Sequence, residues 1–324
     1  MANRQMANDQ MQNKLPLGLG SSRRLCAVFA IGLALTWPAF GSGQDSSQAP
    51  DWVATWGTSP STPGQFGRAE ATGPAFENRT LRQIVHTSVG GDSVRIRLSN
   101  RHGSLPLEIG AVHIASRSEG AQIEAGSDRS LTFGTKTSIT IPIGAFVLSD
   151  PVGLEVMPLA DLAITIFFPS DTGAPTFHGS ALQTGYISPP GNFTASAQIT
   201  DAETSQSWFF LTAVEVKPSQ STGVVVTVGN SITDGTLSTA DTNGRWPDHL
   251  ASRLAARGSN TLGVVNAGIA GNRVLHGLSG FGVNVLARLE LDVLSVAGVT
   301  HVVVLEGIND IGLAGLIPGI TDEA

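Results

Sequence analysis

One position in the last third of the sequence carries a group that could do chemistry directly after a run of apolar residues. It is Ser231, two residues after Gly229. A serine hydroxyl at the end of a strand can attack a carbonyl carbon, as acyl transfer requires. The alternative is a strand that simply turns into a polar loop. Two later loops, 266–273 and 306–310, also follow apolar runs and carry small and amide residues, which favours the first interpretation.

The elements that must position these groups are indicated by three runs rich in β-branched residues. The runs span 224–228, 262–265 and 301–305, and such runs are typical of buried parallel strands. Each run ends in a loop of small or amide residues. Because ligands of open α/β sheets lie at the carboxyl ends of the strands, we expect the three loops to meet at one edge.

Two helices are predicted between the runs. Pro247 near the start and Gly258 after the end bound the first helix, over 246–258, with Leu250 and Leu254 facing the sheet. The second helix is predicted over about 283–296. Its apolar positions are Leu286, Leu289, Val293 and Leu294.

The order and spacing of Gly229-Asn230-Ser231, the loop 266–272 and Gly307-Ile308-Asn309-Asp310 resemble the first three sequence blocks of the SGNH hydrolases, or GDSL esterases/lipases. The resemblance implies a three-layer α/β/α domain with a parallel sheet. It implies that Ser231 is the nucleophile, and that the oxyanion donors are the Ser231 N–H, the Gly271 N–H and the Asn309 side chain. It implies no metal and no cofactor.

The sequence departs from the family pattern in two ways. Asn230 stands where the family usually has aspartate, and no Asp-x-x-His block supplies a catalytic base. The chain ends soon after the third block, so we expect a fragment of a longer reading frame. Of the nearby histidines, His276 is the only one predicted close to the site. His249 in the first helix and His301 at the start of a buried strand are predicted to be structural.

Residues 51–218 have the pattern of a β-sandwich-like domain, and residues 219–324 hold the amino-terminal part of the hydrolase domain. Segments 83–89 and 93–98, separated by two glycines, predict a hairpin. Further strands are predicted over 109–115, 131–133, 138–141, 162–168 and 208–216. The stretch that begins at Asp51 also resembles the β-rich region that precedes this domain in secreted bacterial members of the family.

The amino terminus has the pattern of a signal peptide. Residues 1–41 place basic residues before the short apolar run 25–37, and the cleavage site is predicted near Gly41, followed by a linker over 42–50. The protein is therefore expected to be secreted or periplasmic, without a stable membrane anchor. The single cysteine, Cys26, would leave with the leader, which excludes disulfides and a cysteine nucleophile from the mature chain.

Charge and composition limit the classes of function. The formal charge is −7, with no cluster of basic residues for nucleic acid. The predicted reaction is hydrolysis of short-chain acyl or acetyl esters, on a small molecule or a polysaccharide, through an acyl-Ser231 intermediate. The alternative is a non-catalytic carbohydrate-binding protein. Trp52 and Trp56 could stack on a sugar, although burial in the core is the more usual role of large aromatics. His86, His102, His113 and His178 are scattered and predicted to be structural.

Overall fold

The computed structural model describes residues 52–61, 74–258, 261–277 and 280–312. Short strands dominate these residues and helices are few. The predicted signal peptide over 1–41 and the linker over 42–50 lie outside the described residues, as do the last twelve residues, 313–324.

Short strands dominate the described residues between 53 and 217. In order they are β1 (Val53–Gly57), β2 (Arg79–His86), β3 (Gly91–Ser99), β4 (Leu107–Ile109), β5 (Ala111–Ser116), β6 (Arg129–Ser130), β7 (Ile139–Ile141), β8 (Phe146–Leu148), β9 (Val152–Val156), β10 (Asp161–Phe168), β11 (Phe177–His178), β12 (Gly185–Pro190), β13 (Glu203–Ser205), β14 (Trp208–Phe209) and β15 (Leu211–Lys217).

These strands form two main antiparallel sheets. One sheet has the order β1-β15-β3-β8, with β9 also paired to β3, and the other has the order β13-β12-β2-β10-β5-β6. Two small pairs, β11 with β14 and β4 with β7, lie beside them. Apolar side chains of both sheets share one hydrophobic cluster. This β-rich region is consistent with the sandwich-like architecture predicted for it.

The predicted hairpin between the second and third strands is wrong. β2 pairs with β10 and β12 in the six-stranded sheet, whereas β3 pairs with β15, β8 and β9 in the other sheet. The connection between β2 and β3 passes from one sheet to the other, and its backbone N–H groups donate to residues outside the two strands. Thr87 N donates to Ala160 O at 2.8 Å, and Ser88 N donates to Thr55 O at 2.9 Å.

The last described part of the chain contains a parallel sheet. Its strands are β16 (Val224–Gly229), β17 (Gly263–Gly268) and β18 (Val299–Leu305), in the order β17-β16-β18. β16 lies in the centre and every residue in it is buried. The expectation that the third run is a buried strand is wrong, because β18 is exposed along most of its length and no described strand pairs with its outer side.

Helices occupy the connections between the parallel strands. They are α1 (Ser231–Asp234) and α2 (Trp246–Ala255) before β17, α3 (Val285–Leu289) and a π-helix (Glu290–Leu294) before β18, and α4 (Ile308–Gly312) after it.

The buried faces of the helices differ from those predicted. In α2 the buried residues are Pro247 and Ala251, four apart, rather than Leu250 and Leu254. Of the apolar residues named in the second helix, Val293 is buried, whereas Leu286 and Leu294 are exposed. Polar residues take their place on the buried face, Arg288 in α3 and Asp292 in the π-helix. The apolar pattern therefore gave the helices but not their orientation.

The β-rich region packs directly on the parallel sheet, and the described residues belong to one compact unit. Ala54 N of β1 donates to Ala297 O at 2.9 Å, and Val264 N of β17 donates to Ser88 Oγ at 2.9 Å. A methyl group at Gly263 would lie 2.7 Å from Ala54 O, so close approach of the two strands requires glycine there. Trp56 is buried at this junction, with its ring edge-on to Trp208 at 4.9 Å.

Within the described ranges, no helix is both long enough and apolar enough to cross a membrane.

Candidate active site

Ser231 is the first residue of α1 and lies at the carboxyl end of the central strand. The side chain of the preceding Asn230 caps this short helix, since its Oδ1 accepts from Ile232 N at 3.1 Å. A methyl group at Gly229 would lie 2.6 Å from Leu305 O, so the strand can enter the turn only with glycine at this position. Ser231 is half-buried, and its hydroxyl makes no hydrogen bond to any described residue.

The loop after β17 packs backbone to backbone against the Ser231 turn. Ile269 N donates to Gly229 O at 3.0 Å, and Ala270 N donates to Asp234 Oδ2 at 2.8 Å. Gly271 follows with φ of 78°. A side chain at Gly271 would collide with the ring of Phe281, so both backbone conformation and space favour glycine.

Asn309 lies in α4, after β18, and reaches back to the second loop. Its Nδ2 donates to Asn272 O at 2.9 Å, next to Gly271. The carboxylate of Asp310 accepts from Val274 N at 3.0 Å. These two bonds hold the third loop against the second.

The structure thus places Ser231, Gly271 and Asn309 in the segments that follow β16, β17 and β18, at one edge of the parallel sheet. Asn309 donates a hydrogen bond to Asn272, the residue after Gly271. The helix that begins at Ser231 accepts one from Ala270, the residue before Gly271. No hydrogen bond directly joins any two of the three residues within the described part of the chain. The oxyanion roles therefore stay predictions.

A buried arginine, Arg288, connects the carbonyl groups around the site. Its Nη1 donates to Ala267 O at 2.7 Å and its Nη2 to Gly229 O at 3.4 Å, at the ends of β17 and β16. Its Nε donates to Asn272 Oδ1 at 3.1 Å. The side chain is fully buried, and burial lowers the pKa of the guanidinium, an effect that the charge of Asp292 opposes. The sequence analysis missed this residue, since it placed only apolar residues on that helix face.

A second buried connection joins the Ser231 helix to the β-rich region. His178 Nε2 lies 3.0 Å from Asp234 Oδ1, and its Nδ1 lies 2.9 Å from Ser59 O. Because a carbonyl oxygen can only accept, Nδ1 carries a proton and donates to Ser59. The side chains of His178 and Asp234 are 5% and 3% exposed. No local spacing could reveal this pair, since 56 positions separate the two residues.

Glu306, directly after β18, is a carboxylate that the sequence analysis did not identify. Leu305 pairs with Gly229, so Glu306 lies opposite Asn230. Both carboxylate oxygens are buried without a partner at hydrogen-bonding distance in the described residues. Burial raises the pKa of Glu306 to about 7, Arg288 and the nearby Asn230 amide lower it, and Asp310 raises it.

No histidine of this part of the chain forms a hydrogen bond with Ser231 in the described residues. His276, the one predicted near the site, is exposed and its carbonyl accepts from Arg273 Nε at 3.2 Å. His249 and His301 are also exposed, so the prediction of a buried His301 is wrong because β18 itself is exposed. Among the described residues, no group of three His, Cys, Asp or Glu side chains could hold a metal ion.

Residues 227–322 match the GDSL-like lipase/acylhydrolase family. Similar solved structures include a family two carbohydrate esterase from Clostridium thermocellum, at 11% identity and a TM-score of 0.24, covering 82% of this chain and 68% of that one. A family two carbohydrate esterase from Cellvibrio japonicus has 12% identity, a TM-score of 0.24, and coverage of 81% and 66%. A salicylyl-acyltransferase from a tetracycline biosynthetic pathway has 12% identity, a TM-score of 0.13, and coverage of 59% and 39%. No curated protein matches the chain.

Proposed function

From the match of residues 227–322 to the GDSL-like lipase/acylhydrolase family, we propose that the protein is a serine esterase with Ser231 as its nucleophile. The observation that carries the proposal is the placement of Ser231. Ser231 is half-buried at the carboxyl end of the central strand, at the edge of the sheet where the segments that carry Gly271 and Asn309 also begin.

In the proposed reaction, Ser231 Oγ attacks the ester carbonyl carbon and the carbonyl oxygen becomes an oxyanion. The N–H groups of Ser231 and Gly271 and the amide of Asn309 donate to that oxyanion. The bond to the alkoxide then breaks, the alkoxide takes up the proton released from the Ser231 hydroxyl and leaves as the alcohol, and water hydrolyses the acyl-Ser231 ester to the carboxylic acid and free Ser231. No described histidine bonds to Ser231 Oγ, so the proposal assigns the nucleophile and the oxyanion donors only.

The three-layer arrangement of the hydrolase domain is part of this proposal. The connection from β16 leads to β17 on one side, and the connection from β17 leads back past β16 to β18. Right-handed crossovers in opposite directions put their helices on opposite faces of the sheet. The strand order therefore supports α2 on one face and α3 on the other.

The substrates we propose are short-chain acyl or acetyl esters of small molecules or polysaccharides. Export of the protein is also part of the proposal, supported by the basic residues and the apolar run 25–37 in the sequence. The net charge of −7 argues against a nucleic-acid partner.

The test is labelling of the full-length protein with a fluorophosphonate, which reacts covalently with activated serines. We expect one label per chain, on Ser231, and none in Ser231→Ala. The matched control is Ser238→Ala in the loop after α1, which should label like the wild type. Ser231→Ala should also lose ester hydrolysis by about a thousandfold or more. A folded wild-type protein that takes no label would favour the alternative, a carbohydrate-binding protein without catalysis.

A further inference from the structure

A cleft of about 100 Å³ lies where the β-rich region meets the π-helix, apart from Ser231, Gly271 and Asn309. Strands β3, β8 and β15 supply Arg97, Phe146 and Thr212 to its wall, and the π-helix supplies Leu291 and Asp292. We infer that this cleft binds a small carboxylate carried on a flat ring.

The charge around the cleft is unbalanced toward positive. Its single lining carboxylate, Asp292, is shared, because Oδ1 bonds Arg101 Nη1 at 3.1 Å and Oδ2 bonds Arg288 Nη1 at 3.4 Å. Glu215, the other carboxylate whose charge acts on Arg97, forms an ion pair with Arg95 at 2.7 Å. Asp292 is therefore neutralised by its own partners and does not exclude an anion.

Arg97 is the cation without a counter-ion. Its Nε donates to Thr212 Oγ1 at 3.0 Å and its Nη1 to Ser295 Oγ at 3.4 Å, and both partners are neutral. Among the described residues it has no ion pair. Burial lowers the pKa of the Arg97 guanidinium, and the charges of Asp292 and Glu215 offset this only in part. Arg97 is partly buried, and a partly desolvated guanidinium forms its strongest hydrogen bonds with an anion, so a carboxylate in the cleft would supply the missing charge.

The other side of the cleft is apolar and flat. Phe146 is 52% exposed, although large aromatic side chains are usually buried. The guanidinium carbon of Arg97 lies 5.7 Å from the centre of the Phe146 ring, so cation and ring line the same space. Leu291, which is 38% exposed, extends the apolar wall. A ring that stacks on Phe146 would bring its carboxylate to Arg97 and Arg101.

Two sources share this chemistry, a sugar acid and an aromatic acid. Sugar rings present C–H faces that pack on aromatic side chains, and aromatic acids stack directly. The planar donor fork of arginine suits a carboxylate in either case.

The test is titration of the full-length protein with sodium glucuronate, sodium benzoate and glucose, followed by calorimetry. We expect saturable binding of at least one acid, weakened by added salt, and none of glucose. Tighter binding of glucuronate identifies a sugar-acid site, and tighter binding of benzoate identifies an aromatic-acid site. No saturable binding of either acid, or equal binding of glucose, overturns the inference.

Variants locate the binding site. Arg97→Met should weaken acid binding at least tenfold, because it removes a charge-assisted hydrogen bond. Phe146→Ala, at an exposed position, should keep the fold and weaken binding about three- to tenfold. The matched control is Arg79→Met, since Arg79 is bonded to Glu203 far along the other sheet. If Arg97→Met does not fold, the affinity of Phe146→Ala for the acids tests the site instead. Unchanged binding of the acids by Phe146→Ala contradicts the proposed site.

Discussion

The neighbouring strands β16 and β18 have similar sequences but opposite environments. Both are runs of valine and other β-branched residues, yet β16 is buried throughout and most of β18 is exposed. Val228 and Val304 are register partners, and they are 0% and 61% exposed. β-Branched apolar residues specify a strand, but burial depends on what packs against it. β16 has a strand on each side, whereas β18 has one only on its inner side in the described chain.

The same contrast extends to the site. The turn after β16 is held by buried bonds from Arg288, His178 and the loop after β17. The segment after β18 is held by the side chains of Asn309 and Asp310. Ser231 thus lies on the side of the site that is held by buried hydrogen bonds, and Asn309 lies on the side with fewer bonds.

The largest effect is expected from Arg288→Met, which breaks the buried network on the β16 side. The variant removes one donor from each of the Gly229 and Ala267 carbonyls and the partner of Asp292 Oδ2, so the free energy of unfolding should be about 3–5 kcal/mol lower than in the wild type. Urea denaturation followed by circular dichroism measures this difference. The matched control is the exposed Arg253→Met in α2, for which we expect less than about 0.5 kcal/mol. Equal effects of the two substitutions would contradict the role given to Arg288.

A second prediction compares the register partners directly. Val228→Ala removes two buried methyl groups and should lower the free energy of unfolding by about 2–3 kcal/mol. Val304→Ala, in the exposed strand, should lower it by less than about 0.5 kcal/mol. The same denaturation experiment tests both. Similar losses from the two substitutions would mean that β18 is as well covered as β16.

The smallest effect concerns Glu306, the buried group at the end of the exposed strand. Its pKa is raised from 4.5 to about 7, so the folded protein binds this proton more tightly than the unfolded chain. The stability from this group is therefore present below about pH 4.5 and is lost as pH rises through about 7. Allowing for solvent screening of a partly exposed group, the loss is about 1–2 kcal/mol.

Denaturation of the wild type and Glu306→Gln at pH 5 and pH 8 tests this. Relative to Glu306→Gln, which does not titrate, the wild type should lose about 1–2 kcal/mol between these pH values. An equal change in the free energy of unfolding for the two proteins would show that Glu306 is as well solvated as the preceding strand β18.

The local sequence pattern predicted the parallel strands, the loops at their carboxyl ends and the β-rich region. It did not predict strand pairing or buried polar contacts, because these depend on residues far away in the sequence. The segments around Gly90 had the pattern of a hairpin, but β10 and β15 separate them into two sheets. The apolar positions were the noticeable feature of the helix predicted over about 283–296, but carbonyl groups at two strand ends are bonded there by Arg288.

The candidate site shows the same division. Ser231, Gly271 and Asn309 follow from the ends of apolar runs, since strand ends of a parallel sheet meet at one edge. The His178–Asp234 contact joins residues from different regions of the chain, and Glu306 is notable for its burial rather than its type. Neither a contact between distant residues nor the burial of a carboxylate can be predicted from the spacing of neighbouring residues.

Ser59 bears on the order in which the chain folds. Its carbonyl accepts from a residue 119 positions away, His178, and its hydroxyl accepts from Arg288, 229 positions away. Contacts across such separations form only after long loops have closed, which slows folding. The turn that carries Ser231 is bonded to both of these residues, directly or through Asp234. We therefore expect the turn that carries Ser231 to reach its final geometry late in folding, once these long-range contacts have formed.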